Sequence, residues 1–156
     1  MDEGIQYRDP PWVTAPTTPL HLWIVGAVSL LWNSFGCYDY TMTRLDPAGY
    51  LSASGFGVES VTYLQSLPAW ITAFWALGVW GSLAGSFLLL LRSRHAATAF
   101  AASLLGLAVS QFSQWAGPLP AEMNTSATWG ITATIWIVLI ALLLYARAQV
   151  RAWVLR

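Results

Sequence analysis

Asn33 and Asp39 lie in an otherwise apolar run, "LLWNSFGCYDY" over residues 30–40, with Trp32 and Tyr40 beside them. An amide and a carboxylate inside an apolar helix are costly unless they find hydrogen-bond partners or reach the membrane interface. The chemistry these types offer is recognition. Asn donates and accepts, a carboxylate accepts, and Trp and Tyr present flat apolar faces with one polar edge. At helical spacing Trp32, Gly36 and Asp39 fall together with Phe35 at the edge, and Asn33, Gly36 and Tyr40 form the adjacent stripe. Further polar and aromatic residues belong to the same depth: Ser110, Gln111, Ser113 and Gln114; Thr125, Thr128 and Thr132; and Trp70, Phe74 and Trp75. Two arrangements satisfy this set. One is a hydrogen-bond network tying helix ends together. The other is an outward-facing crevice in which Asn33, Asp39, Gln111 and Gln114 bond a ligand while Trp32 and Trp70 stack on it. Asp39, about a turn from the helix end, also has the plain option of reaching headgroup water.

Other chemistry lacks its residues. With Cys37 as the one cysteine, the chain has no intrachain disulfide and no cysteine-based zinc site. No acid pair lies within an apolar run, and no Ser, His and Asp combination has catalytic spacing. His21 and His95 begin the first and third apolar runs at one membrane face, where histidine ordinarily meets headgroups, so no haem or other cofactor is expected. Asn124-Thr125-Ser126 fits the glycosylation pattern.

The elements that must carry these residues are transmembrane helices. Only 9% of the 156 residues are charged and 56% are apolar, against about a quarter charged in an ordinary soluble domain. Ten tryptophans suit membrane–water interfaces, and zero net charge gives no footprint for nucleic acid. The first residues, "MDEGIQYRDPPW", lack the basic stretch of a signal peptide, so insertion is expected to use internal spans.

Four runs reach the roughly 20 residues a bilayer requires: about 20–42, 69–91, 96–115 and 127–146. They predict an all-α membrane protein, a four-helix bundle over 20–147. A proline-bearing tail (1–19) precedes it, with Trp12 in the tail and Trp23 at the start of the first span as interface anchors, and an Arg-bearing tail (148–156) follows. Arg8, Arg92, Arg94, Arg147, Arg151 and Arg156 fall on one side of this layout and Arg44 alone on the other, which predicts both termini in the cytoplasm. In the long outer connection, 43–68, "VESVTYLQSL" reads as a short amphipathic helix. Glu59, Thr62 and Ser66 lie on one face, and Val61, Leu64 and Leu67 on the other.

Two spans carry small-residue seams. The second has Gly78, Gly81, Ser82 and Gly85; the third has Ala99, Ser103, Gly106, Ser110 and Ser113. Helices in lipid associate through such seams because Leu against Leu gains little over Leu against lipid. The seams serve either packing within the chain or another subunit.

The blocks "LWNSFGCYDYTMT" and "LPAWITAFWALGVWGSLAGSFLLLLRSRHA" resemble a group of small bacterial four-span inner-membrane proteins, often labelled "sugar transporter". The likeness rests on Trp32, Asn33, Gly36, Asp39 and Tyr40, then on Pro68, Ala69, Trp70, Trp75, Val79, Trp80 and Gly81. It covers residues 20–97 and implies a bacterial inner-membrane location and four spans. The intramembrane Glu of four-helix multidrug exporters, the Pro-Gln pair of three-helix sugar half-transporters and the cysteine pairs of quinone-linked disulfide enzymes are all missing. Two functions follow as expectations. The first is a non-catalytic accessory or structural subunit packing against a larger membrane assembly or copies of itself. The second is a small transporter or ligand-binding protein using the polar and aromatic crevice.

Overall fold

The structure, a computed structural model, describes residues 18–156, so Trp12, Arg8 and most of the proline-bearing tail lie outside the described residues. It is all-helical, with α1 (Leu20–Leu45), α2 (Pro47–Ala53), α3 (Val58–Ser66), α4 (Ala69–Leu90), α5 (His95–Trp115) and α6 (Ser126–Arg151). A single 3-10 turn, Ala121–Met123, lies between α5 and α6. Four of the helices, α1, α4, α5 and α6, are long and apolar enough to cross a bilayer.

Local chemistry sets the boundaries. Asp46 ends α1 and its Oδ1 accepts from Gly49 N at 3.0 Å, capping α2, whose first residue is Pro47. Pro68 precedes α4, and Thr125 caps α6 by accepting from Thr128 N at 3.2 Å. The connection between the first two spans therefore holds two short helices instead of one. In α3, Glu59, Thr62 and Ser66 are exposed as expected. Its buried stripe, however, is Ser60 and Leu64, with Val61 only half-buried.

The spans pack in a curved row, α1 on α4, α4 on α5, α5 on α6. The α4–α5 contact is the tightest, and the two seams meet each other there. A Cβ added at Gly106 would stand 2.5 Å from Gly78 N and 2.6 Å from the Phe74 carbonyl oxygen; one at Gly81 would stand 3.1 Å from the Ser103 Cβ. Gly85 faces the fully buried ring of Phe100. Ser103 Oγ donates to Gly78 O across the same seam. The glycines are required here because backbone lies against backbone. Both seams are thus occupied within the chain.

The two ends of the row differ. At the end where α1 begins and α6 finishes, Leu22, Leu89, Ala96, Phe100, Leu142 and Ala146 form a closed core. Residues 152–156 fold back onto it: Arg156 N donates to Arg92 O, Arg94 N donates to Arg156 O, and Val154 and Leu155 are buried. The expected tail is therefore docked, because two apolar side chains complete this core. His21 Nδ1 and the Tyr145 hydroxyl, 2.6 Å apart, join α1 to α6 at the same end. Arg92, Arg94, Arg147, Arg151 and Arg156 all belong to it. The opposite end, which carries α2 and α3, is where the bundle opens.

Candidate functional site

At the α2 end the four spans leave a cavity of about 470 Å³. Its back wall is the buried α4–α5 seam, with Gly78, Ser82, Ser103 and Ser110. Asn33, Gly36 and Asp39 face it from α1, Gln111 and Gln114 from α5, and Ile131, Ile135 and Val138 from α6. Tyr50, Leu51, Ser54 and Phe56, from α2 and the residues after it, close the top. Such a volume, mainly apolar with a few convergent polar groups, is that of a small-molecule site.

Asn33 is the buried polar group that α1 brings to the cavity and is 8% exposed. Its Nδ2 donates to Ser82 O at 3.3 Å and to Ser86 Oγ at 2.8 Å. Because Ser86 Oγ donates its own proton to Ser82 O at 3.1 Å, it can only accept from Asn33, which settles the amide's orientation. Both amide protons are committed to α4, and Oδ1 is the group left for the cavity. Asn33 thus serves the helix-to-helix network and the cavity at once.

Asp39 Oδ1 accepts from the Tyr50 hydroxyl at 2.8 Å, joining α1 to α2. Burial first, then the bond to Asp39 and its negative charge, push the Tyr50 phenol up to about 12. Gln111 and Gln114 line the cavity half-buried, and among the described residues neither side chain has a hydrogen-bond partner. The wall hydroxyls are committed to backbone, Ser82 Oγ to Val79 O at 2.9 Å and Ser110 Oγ to Leu107 O at 3.2 Å.

Of the crevice or network candidates Trp32, Asn33, Asp39, Tyr40, Trp70, Gln111, Gln114 and Thr128, five meet at this cavity: Trp32, Asn33, Asp39, Gln111 and Gln114. Tyr40 stands behind it, its ring edge-on to Trp75 at 5.1 Å, and Trp75 is the α4 aromatic that lines the wall. Trp70 is 52% exposed on the first turns of α4 and lies off the cavity. Thr128 lies off it too, with its hydroxyl 2.9 Å from that of the α6 cap Thr125. Asn124 accepts from Trp129 Nε1 at 2.8 Å, so its side chain braces the start of α6. The contribution of α2 was not read from sequence; Asp46-Pro47, a cap followed by a first-turn proline, is the signal that would have found it.

The roof is held from the far side. α3 begins at Gly57 without a side-chain cap of its own, and Glu122 Oε2, from the α5–α6 connection, accepts from Gly57 N and Ser60 Oγ, each at 2.7 Å. These bonds, Ser60 first and Gly57 second, hold the Glu122 carboxyl below the usual carboxylate range.

Among the described residues no group of His, Cys, Asp and Glu is placed to hold a metal ion. Compared with known protein families, curated proteins and solved structures, the chain matches none.

Proposed function

We propose that this multi-pass membrane protein binds a small amphipathic molecule in the α2-end cavity and does no covalent chemistry on it. The observation that carries this reading is Asn33: a side chain 8% exposed, both donors fixed, and its one remaining acceptor left for a cavity of ligand size. A pure network would have used that acceptor, and would have paired Gln111 and Gln114 as well. The accessory-subunit reading drew on two small-residue seams, and both are occupied by each other. What still supports it is the Trp-rich apolar belt, which lipid covers equally well, and the lack of a charged relay in the spans.

We further propose a bacterial inner-membrane location with both termini cytoplasmic. The support for orientation is charge: five of the six described arginines belong to one end, whereas Asp39, Asp46, Glu59 and Glu122 belong to the other. The support for a bacterial source is the likeness of the two sequence blocks. A membrane-impermeant thiol reagent, applied to a cysteine added after Arg156, tests the orientation.

The binding reading is tested by native mass spectrometry of the protein released from mild detergent. Gly36 lines the cavity and a Cβ there meets nothing within 4 Å, so Gly36→Leu fills the space without a backbone clash. Gly130 is equally open but lies off the cavity, so Gly130→Leu is the matched control. The expected result is a bound small molecule on the wild type and on Gly130→Leu, lost from Gly36→Leu. Identical spectra for all three refute the reading.

A further inference from the structure

The walls of this cavity differ in a way that identifies where its ligand comes from. The α4 and α5 wall is buried, but Trp32 and Phe35 on α1 are 43% and 67% exposed, and Ile131 and Ile135 on α6 are 62% and 37% exposed. These four residues line the cavity and are also exposed; Trp32, Phe35 and Ile135 lie well inside their spans, and Ile131 lies in the second turn of α6. α1 and α6 are joined through His21 and Tyr145 at the arginine end and are not a closely packed pair along their length. The cavity is therefore a cleft whose lips are apolar and stand at hydrocarbon depth, while α2 and Phe56 cover the top. A ligand using this gap is dissolved in the bilayer.

The polar groups identify its head. Most donors deep in the cavity are committed: the Asn33 amide to α4, the Tyr50 hydroxyl to Asp39, and the Ser82, Ser103 and Ser110 hydroxyls to backbone carbonyls. Among the described residues this leaves Asn33 Oδ1 and the second Asp39 oxygen as acceptors, the mixed amides of Gln111 and Gln114, and the indole N–H groups of Trp32 and Trp75, a set that suits hydroxyls, which both donate and accept. Asn33 and Asp39 are six residues apart, about 9 Å along the helix, so the acceptors stand at two depths. An anionic head would meet the Asp39 carboxylate unfavourably.

Resting on the binding reading above, we infer that the ligand is a neutral single-chain lipid whose head carries hydroxyl donors. It reaches the cleft sideways between α1 and α6, with its chain leaving past Trp32 and Ile135.

The test uses the full chain in lipid nanodiscs and a monoacylglycerol carrying a diazirine in its acyl chain, beside the matching diazirine fatty acid. The expected result is cross-linking of the monoacylglycerol to peptides containing Leu107, Ile131 or Ile135. It should fall about tenfold in Gly36→Leu, the change expected for a loss of about 1.4 kcal/mol, and stay unchanged in Gly130→Leu. The fatty acid should label these peptides less. Labelling by both probes that ignores Gly36→Leu overturns the inference. A parallel measurement separates the two failures. If Gly36→Cys then reacts rapidly with a charged thiol reagent from water, the cleft opens to water and the small-molecule reading survives without the lipid. If Gly36→Cys is inert and nothing labels the cleft, both readings fall.

Discussion

Gly36 and Gly106 face opposite environments, and the same substitution at each measures how the bundle is built. At Gly106 an added Cβ would stand 2.5 Å from Gly78 N, 2.6 Å from Phe74 O and 3.0 Å from Gly78 Cα, all backbone atoms of α4. At Gly36 it meets nothing within 4 Å. Both glycines sit inside helices, so alanine contributes the same propensity gain of about 1 kcal/mol at either position. The difference between Gly36→Ala and Gly106→Ala therefore isolates the clash. Overpacking a tight contact costs about 1–3 kcal/mol, and backbone cannot rotate out of the way as a side chain can, so the upper part of that range applies. At about 2–4 °C per kcal/mol for a chain this size, Gly106→Ala should melt several degrees below Gly36→Ala in detergent, followed by circular dichroism. Gly81→Ala, at 3.1 Å from a Ser103 side-chain carbon, should fall between them. Equal melting of Gly36→Ala and Gly106→Ala would refute the close α4–α5 approach, and with it the cavity's back wall.

Other consequences can be measured separately. Glu122 has a lowered carboxyl in the folded state, so the bonds to Gly57 and Ser60 are at full strength above the unfolded value of 4.5. They are lost as the pH falls through the lower folded value. Amide exchange at the start of α3 should quicken in that acid window and be quick at neutral pH in Glu122→Gln. Tyr50 shifts the other way, from 10.0 to about 12. Its contact with Asp39 is complete below pH 10 and is lost as the pH climbs toward 12, so wild type minus Tyr50→Phe in an ultraviolet titration should show one late-ionising phenol. Asn33→Ala removes the α1–α4 bonds and should cost about 1 kcal/mol in unfolding, the scale of membrane side-chain hydrogen bonds. Asn33→Asp should cost more, because a carboxylate then faces the carbonyl of Ser82.

The spans were legible because an apolar run of bilayer length bounded by Pro, Gly or Arg has few other uses. Their ends were less so. α1 continues through buried Thr43 to Leu45, and α6 runs on to Arg151, because arginines past the apolar run remain good helix formers. The site was half legible. Asn33, Asp39, Gln111 and Gln114 announced themselves as polar groups in apolar helices. Trp70 was the expected stacking residue, yet five residues turn a helix by roughly 140°, and it is Trp75 that faces the cleft. Which one depends on where α1 and α5 lie against α4, and that is tertiary information. The roof was hidden for the same reason: Tyr50 matters only once α2 is folded over Asp39.

The cleft itself follows from an asymmetry of side-chain size. α4 and α5 carry glycine and serine on their facing sides and close to backbone contact. α6 offers no such face toward α1; its inward positions include Ile131, Ile135, Val138 and Leu139, which hold a neighbour at side-chain distance. Accordingly 11% of the apolar stretch of α6 is buried, against 22–28% in the other spans. α6 is fastened at its arginine end, where Leu142 and Ala146 join the core and Tyr145 bonds His21, and toward the other by α5, through Phe112 against Trp136 and Trp115 against Trp129. Between those fastenings nothing in the sequence pulls it against α1. The same choice of large residues that leaves α6 facing lipid therefore leaves the space beside Asn33 unfilled.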